Sequence, residues 1–279
     1  MIEIIQNQWY NNCTIVTGVH AMIKAAFFDI DRTLLSHVTN SVPSSARRAL
    51  ELLRQKGILV FSATGRPRSV LETMPALQGL TFDGGVTLTG QYCYNSSGVI
   101  YCNPIHRMDI HTLIEYLDTH PIPCSFIEGD RSYINFYDDH VKNVHIAVHS
   151  DPPPLGDLRW GLENEVYQIW LYLHDNKVPD LPPLPHIKYT KWHEGGVDMI
   201  SIDGGKAKGI GQVLAHYGLT PEEAIAFGDS DNDLDMLQTV KIAVAMGNAC
   251  DEAKQCADYI TTDVDDDGIW NALKHFELI

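Results

Sequence analysis

The stretch Met-Ile-Lys-Ala-Ala-Phe-Phe-Asp-Ile at residues 22–30, followed by Asp31-Arg32-Thr33, decides the fold of this chain. An apolar run that ends in acidic residues is typical of a buried parallel strand whose carboxyl end opens onto a site. Asp29 and Asp31 stand two residues apart, so on an extended chain both side chains project to the same side. An isolated Asp-x-Asp is more typical of a solvated loop, so its neighbours must decide between the two interpretations.

The segments on either side alternate between helix and strand patterns. Residues 43–56 have the apolar spacing of an amphipathic helix, and residues 58–63 form a second buried strand. The same alternation returns near the C-terminus, with a helix at 206–217 and strands at 223–227 and 241–245. Strands that alternate with helices indicate a parallel sheet.

The middle of the chain has a different character. Strand-like runs at residues 132–137 and 166–172 are separated by a helix pattern near 111–118 and by proline-rich turns, which predicts a separate α+β unit with an antiparallel sheet. The sequence therefore predicts an α/β fold: a doubly wound, Rossmann-like parallel-sheet core with an inserted α+β cap. The predicted divisions are an N-terminal extension at 1–21, a core at 22–88 and 190–279, and a cap at 89–189.

Composition narrows the functional classes. The chain has 279 residues and a net charge of −16, from 36 acidic and 20 basic side chains. Such a charge argues against binding of nucleic acid or of an anionic membrane, both of which need basic surfaces. None of the six cysteines forms a Cys-x-x-Cys pair, so we expect reduced thiols and a cytoplasmic location.

Acidic residues at the strand ends suggest metal and phosphate chemistry. Two carboxylates that face one site repel each other unless one is protonated or a cation lies between them. Mg²⁺ prefers oxygen ligands and also binds substrate phosphates. A carboxylate such as that of Asp29 can attack phosphorus, and a second one, such as that of Asp31, can move protons. The segment 228–233, Gly-Asp-Ser-Asp-Asn-Asp, follows another buried strand and makes a cation site plausible there.

Two further segments carry groups suited to binding an anion. In Thr64-Gly65-Arg66, the threonine offers a hydroxyl donor and the glycine allows close approach of the backbone. Thr64 also fits the alternative role of a helix cap. Lys206 stands at a predicted helix N-terminus, where a cation opposes the helix dipole unless it faces an anion, and Lys208 is the competing candidate.

Taken in order, these four segments resemble the motifs of the haloacid dehalogenase superfamily, specifically its Cof-type sugar-phosphatase branch. The resemblance spans residues 22–279, and the inserted unit lies where that branch has a type IIB cap. It implies an aspartyl-phosphate mechanism with Mg²⁺. In that mechanism Asp29 is the nucleophile and a metal ligand, and Asp31 is the general acid/base whose main-chain carbonyl also binds the metal. Asp229 is the third protein ligand, and Asp233 orients the metal's waters or Lys206.

The resemblance also assigns phosphate-binding residues, whereas the substrate residues are candidates chosen for their polar side chains. The predicted phosphate-binding residues are Thr64, Gly65, Lys206 and Asn232. The candidate substrate residues, most of them polar groups of the cap, are Arg66, Glu128, Arg131 and His193. Two positions depart from the family pattern: Arg32 replaces a usual glycine, and Thr89 stands where asparagine is more usual.

The predicted function is hydrolysis of a small phosphorylated metabolite, in particular a sugar phosphate. The first alternative is a phosphomutase of the same superfamily, which would return the phosphoryl group to its substrate. The second is a non-catalytic metabolite-binding protein built on the same fold. The sequence predicts neither the individual substrate nor the oligomeric state.

Overall fold

The computed structural model describes residues 23–148, 150–174 and 177–279, so the predicted extension at 1–21 lies outside the described residues. The chain has thirteen strands in the described part. They are β1 Ala25–Phe28, β2 Leu59–Ala63, β3 Gly84–Thr87, β4 Tyr92–Asn95, β5 Gly98–Cys102, β6 Cys124–Ile127, β7 Ser132–Ile134, β8 Gln168–Tyr172, β9 Ile187–His193, β10 Gly196–Ser201, β11 Ala224–Gly228, β12 Ile242–Ala245 and β13 Tyr259–Ile260.

The described helices are α1 Ser44–Gln55, α2 Arg68–Thr73, α3 Arg107–Leu117, α4 Asp139–Ala147, α5 Lys206–His216, α6 Leu234–Leu237, α7 Asp251–Cys256 and α8 Gly268–His275. Helix α1 buries Ala46, Ala49, Leu50 and Leu53, the apolar stripe that its spacing predicts. It packs beside α8, whereas α5 packs beside α6 and against β3, β4 and β5. Within the described ranges, no helix is both long and apolar enough to span a bilayer.

The larger sheet has the order β13-β12-β11-β1-β2-β3-β4-β5. Its strands are parallel from β13 to β3, and β4 and β5 then add an antiparallel hairpin. Strand β1 lies in the interior of this sheet, and all four of its residues are buried. Phe27 stacks on Phe61 of β2, and Phe28 on Phe227 of β11. Burial of such a side chain stabilises the fold by roughly 1.5–3 kcal/mol.

The smaller sheet has the order β7-β6-β8-β10-β9, and all its pairs are antiparallel. The doubly wound core and the antiparallel α+β cap are therefore as the sequence predicts. The predicted domain limits of 89 and 190 do not coincide with membership of the two sheets. Strands β4 and β5 fold back onto β3, so the first sheet extends to residue 102, and β9 and β10 extend the second sheet to residue 201. The alternating residue pattern of the sequence predicts these strands, but it does not predict which sheet each strand joins.

The chain leaves β3 for the cap through a backbone that bends sharply. Leu88 and Thr89 both have φ of 53°, and Gly90 has φ of 83°. A Cβ atom at Gly90 would lie 1.9 Å from the carbonyl oxygen of Gly205, the residue before α5. Only glycine fits there, and this close approach brings the start of α5 against the entrance to the cap.

Candidate active site

A cleft of about 430 Å³ lies between the carboxyl ends of the core strands and one face of the cap sheet. Ligand sites in open α/β sheets are found at this edge. Its core wall includes Asp29, Asp31, Thr64, Gly65, Arg66, Asp229 and Asn232, and its cap wall includes His145, Gln168, Trp170, Lys191, Trp192 and Asp198. The fold thus brings together residues from three of the four predicted segments, and the fourth lies directly beneath them.

That fourth segment contributes Lys206, whose side chain is 0% exposed. Its Nζ atom donates to Asp29 Oδ1 at 2.7 Å and to Asp233 Oδ1 at 2.5 Å. Burial alone would lower the pKa of Lys206, but Asp233 and Asp29 outweigh it and raise the pKa. Lys208 is exposed, whereas Lys206 is buried against the two carboxylates. Two of three ammonium donors are occupied by carboxylates, and contact of the third with a phosphoryl oxygen stays a prediction.

Asp29 is buried directly after β1. Burial raises its pKa well above the usual range, Lys206 partly offsets this, and Asp233 and Asp229 raise it further. Only the carboxylate form of an aspartate is a nucleophile, so the predicted role of Asp29 requires positive charge that neutralises this cluster. Lys206 supplies part of that neutralisation.

Asp229, after β11, has one oxygen in a hydrogen bond and one that accepts none. Its Oδ1 accepts from the hydroxyl of Thr33 at 3.2 Å. Its Oδ2 is buried and accepts no hydrogen bond among the described residues, and Arg32 Nε lies 3.6 Å away. Burial, with repulsion from Asp233, raises the pKa of Asp229 to about 7, although Arg32, Thr33 and Lys206 oppose the shift.

Carboxylate oxygens of Asp29, Asp229 and Asp233 all lie within 4.8 Å of one another. Both oxygens of Asp233 are already used, because Oδ1 accepts from Lys206 and Oδ2 accepts from the backbone N–H of Asp229 at 2.9 Å. The buried oxygen of Asp229 that accepts no hydrogen bond and the raised pKa values of Asp29 and Asp229 fit a hard divalent cation. The same contacts support an orienting role for Asp233.

Asp31 is held by the side chains of Arg66 and His37. Arg66 donates to it twice, from Nε to Oδ2 and from Nη2 to Oδ1, each at 2.7 Å. His37 Nε2 donates to Oδ1 at 2.9 Å. Burial would raise the pKa of Asp31, but hydrogen bonds and charge from Arg66 and His37 outweigh it and lower the pKa below its usual range. The predicted substrate residue Arg66 therefore binds the predicted acid/base, and His37 is a site residue that no motif signalled.

Thr64 and Asn232 lie where a phosphoryl group would meet the core wall. The Thr64 hydroxyl oxygen accepts from the backbone N–H of Arg66 at 3.1 Å, so its own proton can be donated into the cleft. Thr64 does not cap α2, whose N-cap is Pro67 and which has no side-chain cap. Asn232 Oδ1 accepts from the Ser230 hydroxyl at 3.0 Å, so its amide N–H groups can act as donors.

Both departures from the family pattern fall at left-handed backbone positions. Arg32 has φ of 61° and Thr89 has φ of 53°, conformations that glycine and asparagine adopt more easily. The Arg32 guanidinium donates to the carbonyl of Asn248 at 2.9 Å and faces Asp229. The Thr89 hydroxyl donates to Asp198 Oδ2 at 3.4 Å, which ties the cap entrance to β10. Neither side chain displaces a motif residue.

The structure does not bring two of the predicted cap residues to the cleft. Arg131 donates to both oxygens of Glu128 at 2.8 and 3.1 Å, and the Tyr133 hydroxyl donates to the same carboxylate. The charges of Glu128 and Arg131 satisfy each other, and neither residue lines the cleft, so their contact with a substrate stays a prediction. The side chain of His193 lies outside the described residues.

The cap instead presents aromatic and neutral polar groups that the sequence analysis missed. Gln168, Trp170 and Tyr172 alternate along β8, a period-2 pattern that could have marked one face of the sheet. The pattern alone does not say which face looks toward the core.

Comparison with known proteins agrees with this architecture. The family model of haloacid dehalogenase-like hydrolases matches residues 26–273. YkrA of Bacillus subtilis (strain 168), whose name as a phosphatase is provisional, is 33% identical over 257 residues, which are 92% of this chain and 98% of YkrA. The structure of BT4131, a sugar phosphatase of subclass IIB, has a TM-score of 0.83 and 34% identity, and the match covers 92% of this chain and 100% of BT4131.

A third comparison, with BT1666 from Bacteroides thetaiotaomicron, gives a TM-score of 0.85 and 30% identity over 96% of this chain and 100% of that one. BT1666 is described among the phosphatases of the same superfamily. The family match spans nearly the whole described chain, and it includes the cleft whose geometry is given above. The chain therefore belongs to the haloacid dehalogenase-like hydrolases, with a subclass IIB type of cap, and is a phosphatase of that family.

Proposed function

We propose that this phosphatase hydrolyses a small sugar phosphate in the presence of Mg²⁺, through a phosphoryl group carried on Asp29. The contact between Asp29 and the buried Lys206, at the base of a cleft with a second unsatisfied carboxylate, carries this proposal. The similarity to BT4131, itself a sugar phosphatase, supports the substrate class. The free thiols of the five described cysteines support action in the cytoplasm.

Asp29, Asp229 and the main-chain carbonyl of Asp31 would hold the metal, with Asp233 orienting them. A bound Mg²⁺ would neutralise charge on the carboxylates and on the phosphoryl oxygens. Thr64 and Asn232 would donate hydrogen bonds to the phosphoryl group, since both have donors that face the cleft. Positioning and charge neutralisation account for most of the catalysis in phosphoryl transfer.

The reaction then runs in two displacements. A carboxylate oxygen of Asp29 forms a bond to phosphorus while the ester P–O bond breaks, and Asp31 gives its proton to the departing sugar oxygen. In the second step Asp31 removes a proton from water, which attacks phosphorus, and the bond between phosphorus and Asp29 breaks to release inorganic phosphate.

Asp31 can donate a proton only if its contact with Arg66 loosens, because that contact favours the carboxylate form. A phosphoryl oxygen near Gly65 would compete for the same guanidinium, since Arg66 also lines the cleft. Substrate binding would thus draw Arg66 away from Asp31 and raise the pKa of Asp31 toward a value suited to an acid. This assigns Arg66 a contact with the substrate as well as with the acid.

The test is release of inorganic phosphate from a panel of phosphorylated sugars, with Mg²⁺ and with a chelator. Asp29→Asn should lower turnover at least about 10³-fold because no carboxylate remains to attack. The matched control is Asp265→Asn, an exposed residue outside the cleft, which should keep wild-type turnover. Preserved turnover in Asp29→Asn would contradict the nucleophile assignment. Isomerised hexose phosphate without free phosphate would favour the phosphomutase, and no turnover of any ester would favour a binding protein.

A further inference from the structure

The cap-sheet face over the cleft carries a group of neutral polar side chains beside aromatic rings. Asp198 of β10 is the cross-strand partner of Trp170 of β8 and of Thr190 of β9. Gln168 lies two residues before Trp170 and therefore shares its face of the sheet. The intervening residues of β8 and β10, Ile169, Leu171, Val197 and Met199, are buried in the apolar core of the cap. The polar face is thus the one that looks toward Asp29.

Several buried atoms on this face have no hydrogen-bond partner at normal distance and angle. Among the described residues, Gln168 Nε2 and Oε1, Thr190 Oγ1 and Asp198 Oδ1 have no partner of normal geometry. Gln168 is completely buried and Asp198 is 3% exposed, and both line the cleft. Buried polar groups are nearly always satisfied, because leaving them unpaired destabilises the fold. A donor and an acceptor on one amide, unpaired inside a cleft, indicate a ligand that supplies both.

These buried polar side chains begin next to the proposed site of phosphoryl transfer. Asp198 Oδ2 accepts from Thr89 and lies 3.5 Å from the position that a Cβ of Gly65 would occupy. Trp170 and Trp192, with ring centroids 6.4 Å apart, continue the same wall of the cleft. An ester whose phosphorus meets Asp29 must therefore place its leaving group against these side chains.

We propose that Gln168 and Asp198 determine specificity by hydrogen bonding to neighbouring hydroxyl groups of the leaving group, while Trp170 packs against its flat face. Each hydroxyl both donates and accepts, which matches an amide that needs one partner of each kind. The ligand class is a phosphate monoester of a polyhydroxylated ring or chain. This inference rests on the proposed function and adds the residues that select the leaving group.

Asp198 is suited to this role because it can act as a donor or an acceptor. Burial raises its pKa to about 7, and Gln168, Thr89 and Lys206 only partly oppose the shift. The Gln168 amide makes a weak hydrogen bond that favours the charged form of Asp198, but the bond falls short of normal geometry. A bound hydroxyl would satisfy both side chains at once.

The experiment compares Gln168→Leu with Gln78→Leu, the same substitution at an exposed position outside the cleft. The kcat/KM is measured with Mg²⁺ for glucose 6-phosphate, ribose 5-phosphate, sorbitol 6-phosphate and p-nitrophenyl phosphate, whose leaving group has no further hydroxyl. In Gln168→Leu the ratio of the best sugar ester to p-nitrophenyl phosphate should fall about ten-fold, mainly through KM, because the two hydrogen bonds are lost. Gln78→Leu should keep the wild-type ratio.

The thermal stability of the variants distinguishes a role of Gln168 in substrate binding from a role in maintaining the fold. Leucine removes two unpaired polar atoms from a buried position, so the Tm of Gln168→Leu should equal or exceed that of the wild type. If Gln168→Leu had a lower Tm and lost kcat/KM in the same proportion for every ester, the inference would be overturned. An unchanged ratio of kcat/KM between the best sugar ester and p-nitrophenyl phosphate would also overturn it. Wild-type hydrolysis of p-nitrophenyl phosphate but of none of the three sugar esters would overturn the inference and leave the phosphatase intact. No hydrolysis of any ester would instead refute the proposed function.

Discussion

Replacement of Asp229 by asparagine tests the electrostatics of the metal site. Asp229 is buried, one of its oxygens accepts no hydrogen bond among the described residues, and its pKa rises from 3.8 to about 7. The folded chain therefore holds a proton on this carboxyl more tightly than the unfolded chain does. The resulting stabilisation is fully present below pH 3.8 and is lost as pH rises toward 7.

A shift of about three pKa units corresponds to up to about 4 kcal/mol of unfolding free energy, at 1.36 kcal/mol per unit. Asparagine has nearly the same size and does not titrate. In a chelator, the unfolding free energy of Asp229→Asn relative to wild type should therefore increase by up to about 4 kcal/mol between pH 4 and pH 8. Any cost of burying the new amide is the same at each pH. The test therefore depends only on how the difference in unfolding free energy changes with pH.

The assay is urea unfolding followed by tryptophan fluorescence, at pH 4, 6 and 8, with a chelator and with Mg²⁺. Mg²⁺ at about 100 times its Kd should stabilise the wild type by about 2.7 kcal/mol and should stabilise Asp229→Asn far less. Asp265→Asn, at an exposed position, is the control, and its unfolding free energy relative to wild type should not change with pH. A pH-independent difference between Asp229→Asn and wild type, or equal stabilisation of both by Mg²⁺, would refute the reasoning.

Two further substitutions test the elements that support the site. Lys206→Met should lower the unfolding free energy in a chelator by about 3–5 kcal/mol, because it leaves two buried carboxylates without their cation, and the exposed Lys208→Met should change it by less than about 0.5 kcal/mol. Equal effects in urea unfolding would contradict the assignment of Lys206. Gly90→Ala should lower the Tm and turnover far more than Gly98→Ala, because both have positive φ but only Gly90 has a neighbour in the way of a Cβ. Similar losses in thermal unfolding would show that backbone strain alone is responsible.

The core half of the site was predictable because it depends on order along the chain. Parallel strands place their carboxyl ends at one edge, so Asp29, Thr64 and Asp229 had to meet once the strands before them were recognised. Lys206 could be selected over Lys208 only by analogy with the family, and burial now gives the physical reason. The contacts of Asp31 with Arg66 and His37 had no signature in the spacing, because they join loops that follow different elements.

The residues on the cap side of the site were predicted poorly because charged side chains were taken to indicate a ligand site. Glu128 and Arg131 are close in sequence and opposite in charge, so they neutralise each other at a turn. The side chains that face the cleft are set by the register of β8 against β10 and by which face the inserted domain turns toward the core. The alternation of residues along the strands predicts which side chains share a face of the sheet. Which face the inserted domain turns toward the core depends on the path of the chain through Leu88, Thr89 and Gly90.

The charges beneath the cleft explain why the same residues serve stability and function. Asp29, Asp229 and Asp233 face one buried ammonium, that of Lys206, so full ionisation of the three acids leaves two negative charges in excess. The partly exposed Arg32 faces only Asp229, at 3.6 Å. Burial first, and repulsion between the acids second, raise the pKa of Asp29 and of Asp229 and so favour their protonated forms. Protonation of Asp29 would also remove the proposed nucleophile, whereas a partner of about two positive charges would restore both neutrality and reactivity, and a divalent cation meets that requirement.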